Sequence, residues 1–157
     1  MPMIFTGERD LENHLRHLIA TKITARYPRV YTLENKKAVD IAICRDGDRP
    51  AVFFLEVKLF QQKHGRLGIG TGRGVGYQPE IVARNPDYFE THLRWVIVDG
   101  GEPTASFLFV PTSTIRQYLA AGEIGKKFNN IQLRIFREVN ALDEDTLVEE
   151  LCKWLLQ

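Results

Sequence analysis

The segment Ala51-Val-Phe-Phe-Leu-Glu-Val-Lys-Leu-Phe60 is almost wholly apolar, rich in β-branched and aromatic side chains, and follows the turn Asp46-Gly-Asp-Arg-Pro50. This pattern predicts a central strand covered on both faces. Glu56 and Lys58 interrupt it. Residues two apart project from the same face of a strand, so a carboxylate and an ammonium stand side by side in a segment otherwise chosen for burial. An unpaired buried charge costs on the order of several kcal/mol, so such residues persist only when paired, metal-bound or placed at an open end of the sheet.

Working outward, Val30 to Leu33 and Ala38 to Cys44 read as two further strands joined by the turn Glu34-Asn-Lys-Lys37. Asp40 is the one charge inside the second of these. If that strand neighbours the first segment, the Asp40 side chain meets Glu56, and two carboxylates and an ammonium surround one point. Such a group suits a hard cation with a reacting water. Carboxylate oxygens favour Mg²⁺, which is usually held by one or two protein carboxylates together with waters and substrate phosphate. The chemistry implied is phosphodiester hydrolysis, with the lysine positioning or activating the water. Glu-x-Lys also occurs at Glu34-Asn-Lys36, but there it lies in a polar turn and reads as solvated. The competing reading of Glu56 and Lys58 is a structural ion pair, or edge-strand charge that discourages aggregation.

The rest of the chain frames these strands. Leu11, Leu15, Leu18, Ile19 and Ile23 recur at helical spacing, so Glu8 to Ile23 is an amphipathic helix that ends at Tyr27-Pro28. A short helix is expected over Pro79 to Arg84, halted by Asn85-Pro86. Strands are expected at Arg94 to Val98, Ala105 to Val110 and Ile131 to Arg137, and helices at Ser113 to Ala121 and Asp143 to Leu156. The order predicts an α/β fold, a central mixed β-sheet flanked by α-helices, in a single domain spanning residues 1–157. Cys44 and Cys152 form no CxxC pair, no apolar run approaches the ~20 residues of a membrane span, and Met1 to Phe5 is too short for a signal peptide. A cytoplasmic protein with no membrane partner is the expectation.

Asp40, Glu56-Val-Lys58, the sixteen-residue step between the two acids and the preceding amphipathic helix resemble the PD-(D/E)XK nuclease superfamily, the restriction-endonuclease-like fold. The resemblance covers residues 8–98. It implies that Asp40 and Glu56 bind Mg²⁺, with Mn²⁺ as a substitute, and that Lys58 assists the attacking water. Val39 stands where the namesake motif has Pro. Many members add a metal-site carboxylate from the first helix. Projected at ~100° per residue, Glu8 and Glu12 both fall within the apolar stripe of that helix. Glu8-Arg-Asp-Leu11 also looks like the Glu-Arg-Glu-Leu opening of archaeal Holliday-junction resolvases, which favours Glu8, while acids at a helix start also compensate its dipole. Gln78, in Gly76-Tyr-Gln78, resembles the glutamine that some members carry on a helix after the lysine, and equally suits a helix cap.

Between His64 and Gly76 lie six glycines in thirteen residues, with Lys63, Arg66 and Arg73 close by. The spacing does not fit GxGxxG, and no Walker motif is present. The loop reads as substrate-binding: glycines bring backbone amides close to phosphates, while Lys63, Arg66, Arg73 and Arg84 supply charge. His14 and His17 fall off the apolar stripe of their helix and read as solvated. His64 and His92 lack metal-spaced companions, and Trp95 and Trp154 read as core.

The leading expectation is a Mg²⁺-dependent endonuclease for DNA, of restriction or repair type, in which cutting both strands calls for a homodimer. The rivals are a nuclease for RNA or branched DNA, and a non-catalytic nucleic-acid or protein binding module on a nuclease-like scaffold. The whole chain carries 21 Lys+Arg against 20 Asp+Glu. Residues 1–100 hold 15 against 12 and the remainder 6 against 8, so the near-neutral total conceals a basic N-terminal part.

Overall fold

The computed structural model describes residues 5–33, 40–68, 84–119 and 130–157. Five strands form a mixed sheet: β1 (Val30–Leu33), β2 (Ile41–Arg45), β3 (Ala51–Phe60), β5 (Leu93–Asp99) and β6 (Phe107–Pro111), side by side in that order. β1, β2 and β3 run antiparallel, β3 and β5 run parallel, and β5 and β6 are antiparallel again. β4 (Leu67–Gly68) and β7 (Asn130–Ile131) make a separate two-stranded pair. β3 reaches its full expected length because it is central and its alternate residues enter two different cores.

On one face lie α1 (Glu8–Leu18) and the C-terminal helix α5 (Glu144–Leu155). Leu11, Leu15, Leu147 and Leu151 pack there against Phe53, Leu55 and Val57 of β3. α1 continues into a wider π-helical turn over Ile19–Thr24, which keeps Ile19 and Ile23 in the same core. The opposite face carries Trp95, Ile97, Leu108 and Val110, covered by Ile115 of α3 (Thr112–Gln117) and Ile135 of α4 (Ile135–Glu138). The apolar side of α5 is therefore consumed by its own core, with Leu156 left exposed beyond it. Among the described residues no helix is long and apolar enough to cross a membrane.

Three elements differ from the sequence reading. Arg84 is helical and Asn85 is a bend, but Pro86 also opens a helix that was not expected, α2 (Pro86–His92), with Pro86 in its first turn, where a missing N–H has no intrahelical partner to lose. The expected strand at Ile131 to Arg137 ends at Ile131. Ile131-x-Leu133-x-Ile135 alternates as a strand would, but Leu133 is exposed, and turn hydrogen bonds from Ile135 to Gln132 and from Phe136 to Leu133 lead into α4. α3 stops at Gln117, after which Leu119 bridges to Ile131. The opening of the expected loop is also ordered: Gln62–His64 makes a 3₁₀ turn, Gly65 adopts φ 66°, and Leu67 is buried where β4 meets β7. The turn at 34–37, the helix expected over residues 79–83 and the remaining loop glycines lie outside the described residues.

Candidate active site

The site forms where β2 and β3 part. Their pairing runs from Arg45 opposite Ala51 to Ile41 opposite Leu55, while the other flank of β3 stays paired to β5 as far as Phe60. Asp40 is the first residue beyond the β2 ladder, opposite Glu56 in the continued register. It therefore lies just ahead of the strand rather than within it. Asp40 Oδ2 accepts a hydrogen bond of 2.7 Å from the Val57 N–H, and the Leu59 N–H donates to the Glu8 carboxylate. Side-chain oxygens thus satisfy amides that a neighbouring strand would otherwise engage.

α1 supplies the rest. Glu8, Glu12 and Arg16 are spaced four apart, so they rise along one side of the helix. Arg16 donates from Nη1 to the Leu33 carbonyl at 3.3 Å and from Nη2 to the Asp40 carbonyl at 2.9 Å. One guanidinium therefore ties both ends of the β1–β2 connection to the helix that bears Glu8 and Glu12. Lys58 Nζ stands 4.0 Å from Glu8 Oε1.

The electrostatics describe a site short of positive charge. Glu56 is 1% exposed; burial raises its pKa well above the carboxylate range, Asp40 raises it further, and Lys58 opposes the rise. Glu12 is pushed up to about 7, first by burial, then by a hydrogen bond and charge repulsion from Asp40 and by Glu8, against the pull of Arg16. Burial also raises Glu8, with Asp40 in the same direction and Lys58 opposing. Four carboxyl groups, Glu8, Glu12, Asp40 and Glu56, thus interact around a single buried ammonium.

These residues fit a hard divalent cation. The donors are all carboxylate oxygens, and Glu56 Oε2 is buried with no hydrogen-bond partner, an atom that a cation would satisfy. Among the described residues no group of three or more His, Cys, Asp or Glu side chains could by itself hold a metal ion. Mg²⁺ usually takes one or two protein carboxylates and fills its remaining positions with water and substrate oxygens.

A polar cleft of about 510 Å³ opens beside these groups, lined by Glu8, Lys58, Gln61, Lys63, His64 and Arg66 among others. Two of the four basic residues expected to meet substrate, Lys63 and Arg66, are therefore brought to the Lys58 side of the site. Arg84 is exposed two residues before α2 and does not line the cleft, while Arg73 and Gln78 lie outside the described residues. The sequence reading overlooked Arg16, although its spacing from Glu8 and Glu12 marks the face, and it passed over His64 for want of companions. His14, read as solvated, bonds Glu144 of α5 at 2.9 Å. Trp95 and Trp154 are core residues. No known protein family, curated protein or solved structure matches the chain.

Proposed function

We propose that the protein is a Mg²⁺-dependent nuclease that hydrolyses phosphodiester bonds in DNA, on a restriction-endonuclease-like fold. The observation that carries this reading is the meeting of Asp40, Glu56 and Lys58 at the open half of β3, with Glu56 Oε2 buried and unpartnered. A bound divalent ion would supply charge stabilisation for the phosphodiester oxygens and a more acidic water. Asp40 and Glu56 are the residues that would hold it, with Glu8 or Glu12 contributing from α1.

The chain's own groups divide the remaining work. Water oxygen bonds to phosphorus as it gives up a proton, the bond to the leaving oxygen breaks, that oxygen takes a proton from solvent water, and the products are a phosphomonoester and a hydroxyl. Lys58 hydrogen-bonds the attacking water and offsets phosphate charge. Glu8, beside Lys58, accepts a proton from it or from the water. Lys63 and Arg66 bind the flanking phosphates, which fix position without reading sequence. Cutting both strands of a duplex calls for two chains about a twofold axis.

The test is a cleavage panel of single-stranded, duplex and branched DNA, with RNA, in Mg²⁺, Mn²⁺ or EDTA. Hydrolysis is expected with either metal and absent in EDTA, and Lys58→Ala is expected to lower the rate by about 100-fold or more. Cleavage that persists in EDTA or at full rate in the Lys58→Ala protein defeats the reading. RNA or branched DNA outpacing duplex DNA would reassign the substrate while leaving the chemistry intact.

A further inference from the structure

A second cleft, of about 480 Å³, opens at the other end of the sheet, where the start of β1, the β2–β3 turn and the end of α5 meet. Six steps along β3 separate Ala51 at that end from Val57, which at ~3.3 Å per residue sets the two sites roughly 20 Å apart. The floor of this cleft is apolar, made by Tyr27, Pro28, Val30 and Leu156, the last an exposed leucine. Four arginines and two aspartates also line it, a formal surplus of two positive charges.

Arg45 is part of the wall. Its Nε donates to the Arg49 carbonyl at 2.7 Å, and its Nη1 to the carbonyls of Leu155 and Gln157 at 2.9 and 2.7 Å. Among the described residues no carboxylate lies within ion-pair distance of the other three guanidinium groups, Arg26, Arg29 and Arg49. This holds although Asp46 and Asp48 line the same cleft, Asp46 being engaged by the Gly47 N–H at 2.8 Å. Arg26 lies over the Tyr27 ring, 5.3 Å from its centroid. Arg29 crosses the turn so closely that a Cβ on Gly47 would stand 2.6 Å from its Nη1, so the glycine, at φ 106°, makes room for this side chain.

Guanidinium forks match phosphate geometry, and a cleft of this volume with an apolar floor has the size of a small-ligand site. The surplus of two charges matches a phosphomonoester, which carries about −1.5 to −2 near neutral pH. We propose that this cleft binds a phosphomonoester attached to a planar ring, as in a nucleoside 5′-monophosphate. Arg29 and Arg49 hold the phosphate, and the ring lies on Tyr27, Pro28 and Leu156. The same chemistry is offered by a free mononucleotide and by the 5′-phosphorylated end of an oligonucleotide. The proposal is independent of the acidic site.

The experiment is calorimetric titration of the full chain in EDTA with adenosine 5′-monophosphate, adenosine, inorganic phosphate, and a dinucleotide with or without a 5′-phosphate. The mononucleotide is expected to bind once per chain, and adenosine and phosphate at least about tenfold more weakly. A preference between mononucleotide and phosphorylated dinucleotide identifies the source. The double variant Arg29→Ala/Arg49→Ala, checked for folding by circular dichroism, is expected to lose at least about tenfold in affinity. Lys63→Ala/Arg66→Ala is expected to bind as the parent does. Absence of mononucleotide binding, unchanged affinity in the Arg29/Arg49 variant, or loss in the Lys63/Arg66 variant would overturn the proposal.

Discussion

Glu12→Gln tests the acidic site without any assumption about substrate. Burial and the neighbouring Asp40 hold the Glu12 carboxyl at about 7, against an ordinary 4.5. A carboxyl whose folded-state pKa is raised contributes stability that is fully present below its unfolded value and is lost as pH rises through its folded value, because the native state binds the extra proton. The shift alone would correspond to about 3 kcal/mol, but the side chain is about half-exposed and solvent screening reduces this to roughly 1–2 kcal/mol. Glu56 and Glu8, also raised, act in the same direction. Asp143, held low by its bonds to Thr146 at the start of α5, acts below the ordinary carboxylate range and leaves the window between about pH 5 and pH 8 clear. Urea unfolding in EDTA should therefore show the parent protein less stable at the upper end of that window. Glu12→Gln should flatten the slope by roughly 1–2 kcal/mol. Added Mg²⁺ should restore stability at the upper end, by about 2.7 kcal/mol at one hundred times its dissociation constant. A parent stability that is flat or rising across the window, or an unchanged slope in Glu12→Gln, would refute the reasoning.

Two further outcomes follow from the same geometry. Arg16→Ala removes two hydrogen bonds that tie the ends of the β1–β2 connection to α1, and should cost about 1.5–3 kcal/mol in denaturant unfolding. Its Mn²⁺ affinity should fall by about tenfold or more, since the carboxylate of Asp40 is left less firmly oriented, and Arg16→Lys, which lacks the planar fork, should recover only part. Leu15→Ala, at a fully buried position between α1 and the sheet, should cost about 2–5 kcal/mol in the same measurement.

The central strand, the first helix and the last were legible in the sequence because each writes its burial into a local pattern. β3 is a near-continuous apolar run, and α1 and α5 carry apolar residues at helical spacing. The alternation of Ile131, Leu133 and Ile135 misled because spacings of two and four both allow Ile131 and Ile135 to be buried, and only the exposed Leu133 separates strand from helix. The helix that Pro86 opens was missed because proline both follows one helix and opens another. In the site, Asp40, Glu56 and Lys58 could be found because a charge in an apolar strand is conspicuous. For Arg16 the only sequence signal is its four-residue spacing from Glu12, since an arginine on an amphipathic helix looks like any solvated cation until its carbonyl partners are known.

The sequence by itself determined which residues are out of place: an acid inside one expected strand, an acid and a lysine inside another, and two acids on the apolar side of a helix. These are local facts, because burial propensity is written residue by residue. Only the tertiary structure decided that they meet. β2 ends at Ile41 while β3 runs on to Phe60, so Asp40 takes the Val57 N–H in place of a strand, and α1 crosses the gap with Glu8 and Glu12. The length at which two strands part depends on what packs against both, and that is a property of the whole core. The arginine cleft is of the same kind: residues from Arg26 to Leu156 converge there only because the sheet and α5 bring the two ends of the chain together.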